Sequence, residues 1–280
     1  MSAEHSKKII NKQGEYIMNE KNTKVISVIN FKGGVGKTTV TFNLGAELHK
    51  RGNRILLIDF DGQGNLTKCL LGETTITDTI ITSLNDVAAG REITVPIYEA
   101  DHNLDVIPCN ITKQKWTSDV MLEMQRETIL KRFLDPIKNL NYYDYILVDN
   151  APSISVDYQN SLIASDGYII VAEPEVSSLD GITNSAKVIN QIKNFYRPDL
   201  ECVGILINNV DGRYKIHKDV REIISKSWGE DKYIFNTVIP RSVDITQAEA
   251  CRQAVCYSAP DSAADISISN VATEFEERMR

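Results

Sequence analysis

The chain has no paired cysteines, no apolar run long enough to span a bilayer, no excess of positive charge and no internal repeat. Each absence removes a class of protein. Its five cysteines, Cys69, Cys109, Cys202, Cys251 and Cys256, form no C-x-x-C pair, so reduced structural thiols are expected over a metal or cluster site. The N-terminus carries Lys7-Lys8 without the apolar core of a signal peptide, which together with the lack of a spanning segment predicts a cytoplasmic protein that does not enter membranes. With 31 basic against 38 acidic residues the net charge is -7. Long-range attraction to nucleic acid therefore cannot belong to the whole surface, and any DNA binding needs a local basic patch. No low-complexity stretch or linker divides the 280 residues, a length that accommodates one large α/β domain.

What is present is an alternation of short apolar runs with segments of helical spacing. Residues 1–24 are polar and are expected to form a flexible arm. Strands are predicted at Val25–Ile29, Arg54–Asp59, Leu104–Pro108, Tyr145–Asp149, Tyr168–Ala172, Val203–Asn208 and Thr237–Ile239. Helices are predicted at Thr38–Arg51, Ser118–Leu134, Ser178–Phe195, His217–Trp228 and Ser262–Met279. Strand and helix in turn is the pattern of parallel βαβ units. The expectation is a single doubly wound α/β domain over residues 25–280 with a mostly parallel sheet.

Between the first strand and first helix lies Asn30-Phe31-Lys32-Gly33-Gly34-Val35-Gly36-Lys37-Thr38-Thr39. Glycines there let several backbone N–H groups face one oxyanion, the helix N-terminus adds partial positive charge, and a lysine supplies a full one. Gly36-Lys37-Thr38 has the order of a P-loop: tight turn, phosphate cation, hydroxyl for Mg²⁺. Phe31 replaces the usual first glycine and Lys32 follows it, so two lysines flank one turn in the deviant Walker A pattern. The second strand ends in Asp59 and Asp61, two carboxylates that leave an extended chain on the same side and could serve one cation site. Tyr145-Ile146-Leu147-Val148-Asp149 ends an apolar strand in an acid, a Walker B element when it lies beside a P-loop. Asn208 can offer a donor and an acceptor to a purine edge, and Asn209 stands where a guanine motif would need lysine, which favours adenine. Arg213, Lys215, Lys218, Arg221 and Lys226 gather on one predicted helix, with Arg241 and Arg252 later. They are a candidate phosphate-tracking stripe, interrupted by Asp219, Glu222, Glu230 and Asp231; a solvated helix face is the alternative.

These motifs, with Asp59-Phe-Asp-Gly-Gln-Gly-Asn-Leu-Thr67, Tyr143-Asp-Tyr-Ile-Leu-Val-Asp-Asn-Ala-Pro-Ser153 and Val238-Ile-Pro-Arg-Ser-Val-Asp244, resemble the ParA family of partition ATPases, within the larger group that includes MinD. The resemblance runs through most of the chain from Val25. It implies a P-loop NTPase fold and a slow, Mg²⁺-dependent ATPase. Lys37 would hold the β/γ-phosphates within the turn Gly33, Gly34, Val35, Gly36, Thr38 and Thr39, and Thr38 would ligate Mg²⁺. Asp59 and Asp149 would serve the metal site, Asp61 would orient the attacking water, and Asn208 with Pro240 would frame the adenine. Lys32 would reach across a homodimer interface to the partner's nucleotide. The ATP dimer would bind DNA without sequence preference, on the nucleoid, until a ParB-like centromere-binding protein stimulates hydrolysis. Gly62 stands where relatives often have proline, which should loosen that loop. Asp244 stands where some carry a DNA-binding arginine, which shifts the candidates to Arg213, Lys215, Lys218 and Arg241. The arm is too short for the helix-turn-helix domain of larger plasmid members. The alternative, a MinD-like ATPase positioning a membrane-associated complex, would need a basic amphipathic C-terminus, whereas Glu274, Glu276 and Glu277 surround Phe275.

Overall fold

Runs of Val, Ile and Leu bounded by polar turns make strands that are buried on both faces. The computed structural model describes residues 7–8, 22–72, 76–153, 155–175, 177–211 and 233–280. Its strands are β1 (Lys7–Lys8), β2 (Lys24–Ile29), β3 (Ile55–Phe60), β4 (Ile97–Glu99), β5 (Asp105–Ile107), β6 (Tyr145–Asn150), β7 (Gly167–Ala172) and β8 (Glu201–Ile207). They join in one sheet of order β1-β4-β5-β3-β6-β2-β7-β8. From β5 to β8 every pairing is parallel; β4 and β1 are added antiparallel at one edge.

The helices are α1 (Lys37–Lys50), α2 (Asn65–Leu71), α3 (Ile80–Ala88), α4 (Thr112–Asp119), α5 (Ile129–Asn139), α6 (Val156–Ala164), α7 (Ser177–Phe195), α8 (Val243–Ala250), α9 (Val255–Ser258) and α10 (Ala263–Arg278). Side chains alternate along each strand and so feed two layers. Ile26 and Val28 of β2 and Leu57 of β3 pack with Leu44 and Leu48 of α1 and Ile268 and Phe275 of α10. Val25, Leu56 and Ile58 point the other way, to Leu84 of α3, Phe133 of α5 and Val156 of α6. The same second face continues under β7 and β8, where Ile170 and Ile205 meet Leu162 of α6 and Ile189 of α7.

The doubly wound, mostly parallel sheet is therefore as predicted, with strand ends moved by a residue or two. Two expectations change. Ser118–Leu134 is not one helix: α4 ends at Asp119, 3₁₀ turns follow at Val120–Leu122 and Arg126–Thr128, and α5 begins at Ile129. Gln125 lies in the left-handed region, φ 56°, and Asn160 of α6 secures the break. Its Oδ1 accepts from Leu130 N at 3.0 Å and its Nδ2 donates to Arg126 O at 2.6 Å. Helix α5 then runs past Pro136 to Asn139, beyond the predicted end. Thr237–Ile239 is not a strand. The chain there runs beside β8 through isolated contacts, with bridges at Ile205/Ile234 and Val210/Pro240 and Ile239 N donating to Ile207 O at 2.9 Å. The helix predicted at His217–Trp228 lies outside the described residues.

Parallel strands deliver their carboxyl ends, and the loops that follow, to one edge of the sheet. The loops after β2, β3, β6, β7 and β8 thus meet, with β2 flanked by β6 and β7. That edge holds the candidate site.

Candidate nucleotide site

The loop after β2 is built on left-handed glycines. Gly34 has φ 78° and Gly36 φ 88°, conformations an L side chain resists. A Cβ on Gly36 would also lie 2.1 Å from Asn208 Nδ2. Asn208 itself donates to Val35 O at 2.9 Å, so the loop after β8 is fastened to the loop after β2. Asn30 braces the other end: its Nδ2 donates to Val171 O at 2.7 Å and its Oδ1 accepts from Lys32 N at 2.9 Å. Gly36 then caps α1, and Lys37 and Thr38 open the helix.

The two lysines of this turn have different surroundings. Lys37 is buried, with Nζ donating to Lys32 O at 3.3 Å. Burial lowers its pKa below the ordinary lysine value, opposed by the negative charges of Asp149 and Asp61. Lys32 turns away to the loop after β7, where Nζ lies 2.7 Å from Glu175 Oε2 and 3.3 Å from Glu173 Oε2. Burial disfavours its charge, but hydrogen bonds to Glu175 and Glu173 outweigh this and raise its pKa. Nothing in the local sequence marks these acids as its partners; their place at the end of β7, beside β2, is the only signal.

Asp59 and Asp149 are register partners across β3 and β6, and both are fully buried. Burial raises the pKa of Asp59 to about 6, restrained by hydrogen bonds from Thr67 and the Asp61 backbone. Its Oδ2 accepts from Thr67 N at 2.8 Å and Thr67 Oγ1 at 2.7 Å, and its Oδ1 from Asp61 N at 3.0 Å. Burial, and then the nearby Asp59, hold Asp149 well above the ordinary carboxylate range. Its Oδ2 accepts from Thr38 Oγ1 at 2.6 Å. Its Oδ1 is buried with no hydrogen-bond partner among the described residues. An unpaired buried acceptor beside a hydroxyl and a second acid is costly alone and fits a hard cation, above all Mg²⁺, which keeps several waters and takes few protein ligands. Asp61 follows in a half-buried turn closed by Gln63 N on Asp61 Oδ1 at 3.0 Å and Gly64 N on Asp61 O at 2.9 Å.

A cavity of about 850 Å³ opens beside Gly34 and Gly36 and brings Asn208 and Pro240 together on its wall, 32 positions apart in the chain. Thr39 and Glu249 line it too, Thr39 Oγ1 donating to Glu249 Oε1 at 2.5 Å. Sequence reasoning did not flag Glu249, since α8 was not predicted. Arg241, expected on DNA, also borders this cavity and is exposed. Arg213, Lys215 and Lys218 lie outside the described residues.

Phosphate is what a strand–glycine turn–helix of this shape holds, and a hydroxyl against a strand-end acid is the place for its metal, so the chain is a P-loop NTPase. Comparison with known proteins narrows this. A family model described as an AAA domain matches residues 23–202. The sporulation initiation inhibitor protein Soj of Bacillus subtilis is 35% identical over 227 residues, 80% of this chain and 87% of that protein. The chromosome-partitioning ATPase Soj of Treponema pallidum is 33% identical over 231 residues, 80% of this chain and 86% of that one. Among solved structures, cobyrinic acid a,c-diamide synthase from Mycobacterium smegmatis with bound ADP and magnesium superposes with TM-score 0.75 at 25% identity, covering 90% of this chain and 93% of that one. The chain belongs to the ParA/MinD family of partition ATPases.

Proposed function

We propose that this protein is an ATP-driven DNA partition switch that works as a homodimer with Mg²⁺-ATP held between the copies. Lys37 and the backbone of Gly33, Gly34, Val35, Gly36 and Thr39 cradle the phosphates. Thr38 and Asp149 hold Mg²⁺, with Asp59 adding charge behind them. Asp61 orients water for attack, and Asn208 and Pro240 frame the adenine. Phosphoryl transfer needs little beyond such positioning and charge compensation, so a site that is complete only when paired turns over slowly on its own.

The observation that carries this reading is the division of labour between the two lysines. Lys37 is buried in the cradle, whereas Lys32 leaves it and is held at the surface by two acids. A cation in that position is available to a nucleotide on a facing copy once it leaves Glu173 and Glu175. Pairing then lasts only while the γ-phosphate is present. The paired form binds DNA without sequence preference through Arg213, Lys215, Lys218 and Arg241, associates with the nucleoid, and is released when a ParB-like centromere-binding protein stimulates hydrolysis.

The test is light scattering and salt-dependent DNA binding with ATP, ADP and no nucleotide. Asp61→Ala should form an ATP-dependent dimer that keeps DNA without turnover, and Lys32→Ala should lose both pairing and DNA. ATP-saturated Asp61→Ala that stays as single chains, or equal DNA affinity in all nucleotide states, overturns the reading.

A further inference from the structure

Outside the phosphate cradle the molecule carries one ion pair more buried than any other among those described, and it joins two helices that adjoin loops of the site. Lys113 of α4 and Asp157 of α6 have side chains only 3% and 9% exposed, with Lys113 Nζ 2.5 Å from Asp157 Oδ2. Thr117, also on α4, has its hydroxyl 2.9 Å from Asp157 Oδ2, 3.1 Å from Oδ1 and 3.0 Å from Lys113 O, acceptors that share its single hydrogen. Asp157 is thereby held to one helix through two side chains.

On the α4 side, Lys113 faces the Asp61 loop. Its Nζ sits 4.5 Å from the centre of the Phe60 ring, and Phe60 separates Asp59 from Asp61. A Cβ on Gly62 would lie 3.4 Å from Lys113 Cβ and 3.7 Å from Asn110 O, so the backbone after Asp61 rests directly on the start of α4. Trp116, one residue before Thr117, meets the edge of the same Phe60 ring at 6.1 Å. On the α6 side, Asp157 lies in the first turn after the loop from Asp149. The next residue, Tyr158, packs on Phe31 with ring centres 4.4 Å apart, immediately before Lys32. Pro152 in the same connection approaches Gly33 closely enough that a Cβ there would touch its Cγ at 3.8 Å.

We propose that the Lys113–Asp157 pair is a positioning strut that holds the Asp61 loop in register with the Asp149 loop and the phosphate turn. The proposal rests on the ATPase reading above for its consequence, though not for its geometry. Stability alone does not call for such a pair, because a buried ion pair replaced by apolar side chains of similar volume often leaves stability unchanged or improves it. What apolar side chains lack is direction: an ammonium fixed between one carboxylate and one ring holds α4 at a set distance from α6. Displacement of a catalytic group by about 1 Å can lower turnover by about 100-fold.

The experiment compares the full chain with Lys113→Met, Asp157→Leu and the two combined. Each single change leaves one buried charge and should unfold at lower denaturant. The double variant should recover the wild-type midpoint and bind a fluorescent ATP analogue within about threefold, yet turn over at least about tenfold more slowly. Amides of 61–64 and those of Ala151 and Ser153 should exchange hydrogen about tenfold faster in it, with the sheet unchanged. A double variant with wild-type exchange in both loops, or with wild-type turnover, overturns the strut. Absence of ATP hydrolysis in the unsubstituted protein would instead overturn the ATPase reading, and the exchange comparison would still decide the strut.

Discussion

Replacing Thr67 by valine probes the buried acids of the site without touching the phosphate cradle. The hydroxyl does two things: it donates to Asp59 Oδ2 at 2.7 Å and accepts from Cys109 N at 3.0 Å. Valine keeps the shape and removes both. A hydrogen bond to a charged group contributes about 1.5–3 kcal/mol, and an orphaned buried N–H costs about 1–3 kcal/mol, so a loss of roughly 2–4 kcal/mol is expected at neutral pH, less than the plain sum because the two share one atom. The pH dependence has a definite sign. Asp59 has a folded pKa of about 6 against an ordinary 3.8, so the folded state holds the proton more tightly. Its stabilising contribution is complete below about pH 4 and is lost as pH rises through about 6. Without the Thr67 hydroxyl the folded pKa rises further, so the penalty is largest when the carboxylate is charged. Urea unfolding of the nucleotide-free chain should show a larger loss at pH 8 than at pH 5, by about 1–2 kcal/mol, and Thr67→Ser should recover most of it. A penalty equal at both pH values, or under about 0.5 kcal/mol at pH 8, would refute the account of Asp59.

Two further substitutions follow from the same geometry. Gly36→Ala places a Cβ in a left-handed residue and 2.1 Å from Asn208 Nδ2, so it should cost about 1–2 kcal/mol in strain and break the Asn208–Val35 contact. Nucleotide binding measured by titration should weaken by about tenfold or more while the circular dichroism spectrum is kept. Asn160→Ala removes the acceptor for Leu130 N and the donor to Arg126 O at a fully buried position. A loss of about 2–4 kcal/mol in urea unfolding is expected, with faster hydrogen exchange at the start of α5.

Much of the scaffold was legible in advance because its signals are local. The unbroken apolar runs of β2, β3, β6, β7 and β8 and the period of α1 and α10 need only a window of a few residues. Helix α6 and α8 were missed because each is short and rich in polar residues that serve tertiary contacts, such as Asn160 and Glu249. The run from Ser118 to Leu134 read as continuous because the break at Gln125 is held by an asparagine from another helix. The partners of Lys32 within the chain, Glu173 and Glu175, lie 141 and 143 positions away, beyond the reach of any local pattern.

From the order of residues alone came the phosphate turn, the acids closing two strands and the parallel α/β plan, each written in neighbours along the chain. Folding alone decided which acids face each other, that Thr67 links Asp59 to Cys109, and that Lys113 meets Asp157 across 44 positions. The physical reason is that charge and hydrogen-bond energies depend on distance through space, and a sheet whose strand order departs from chain order brings together groups that no local pattern pairs.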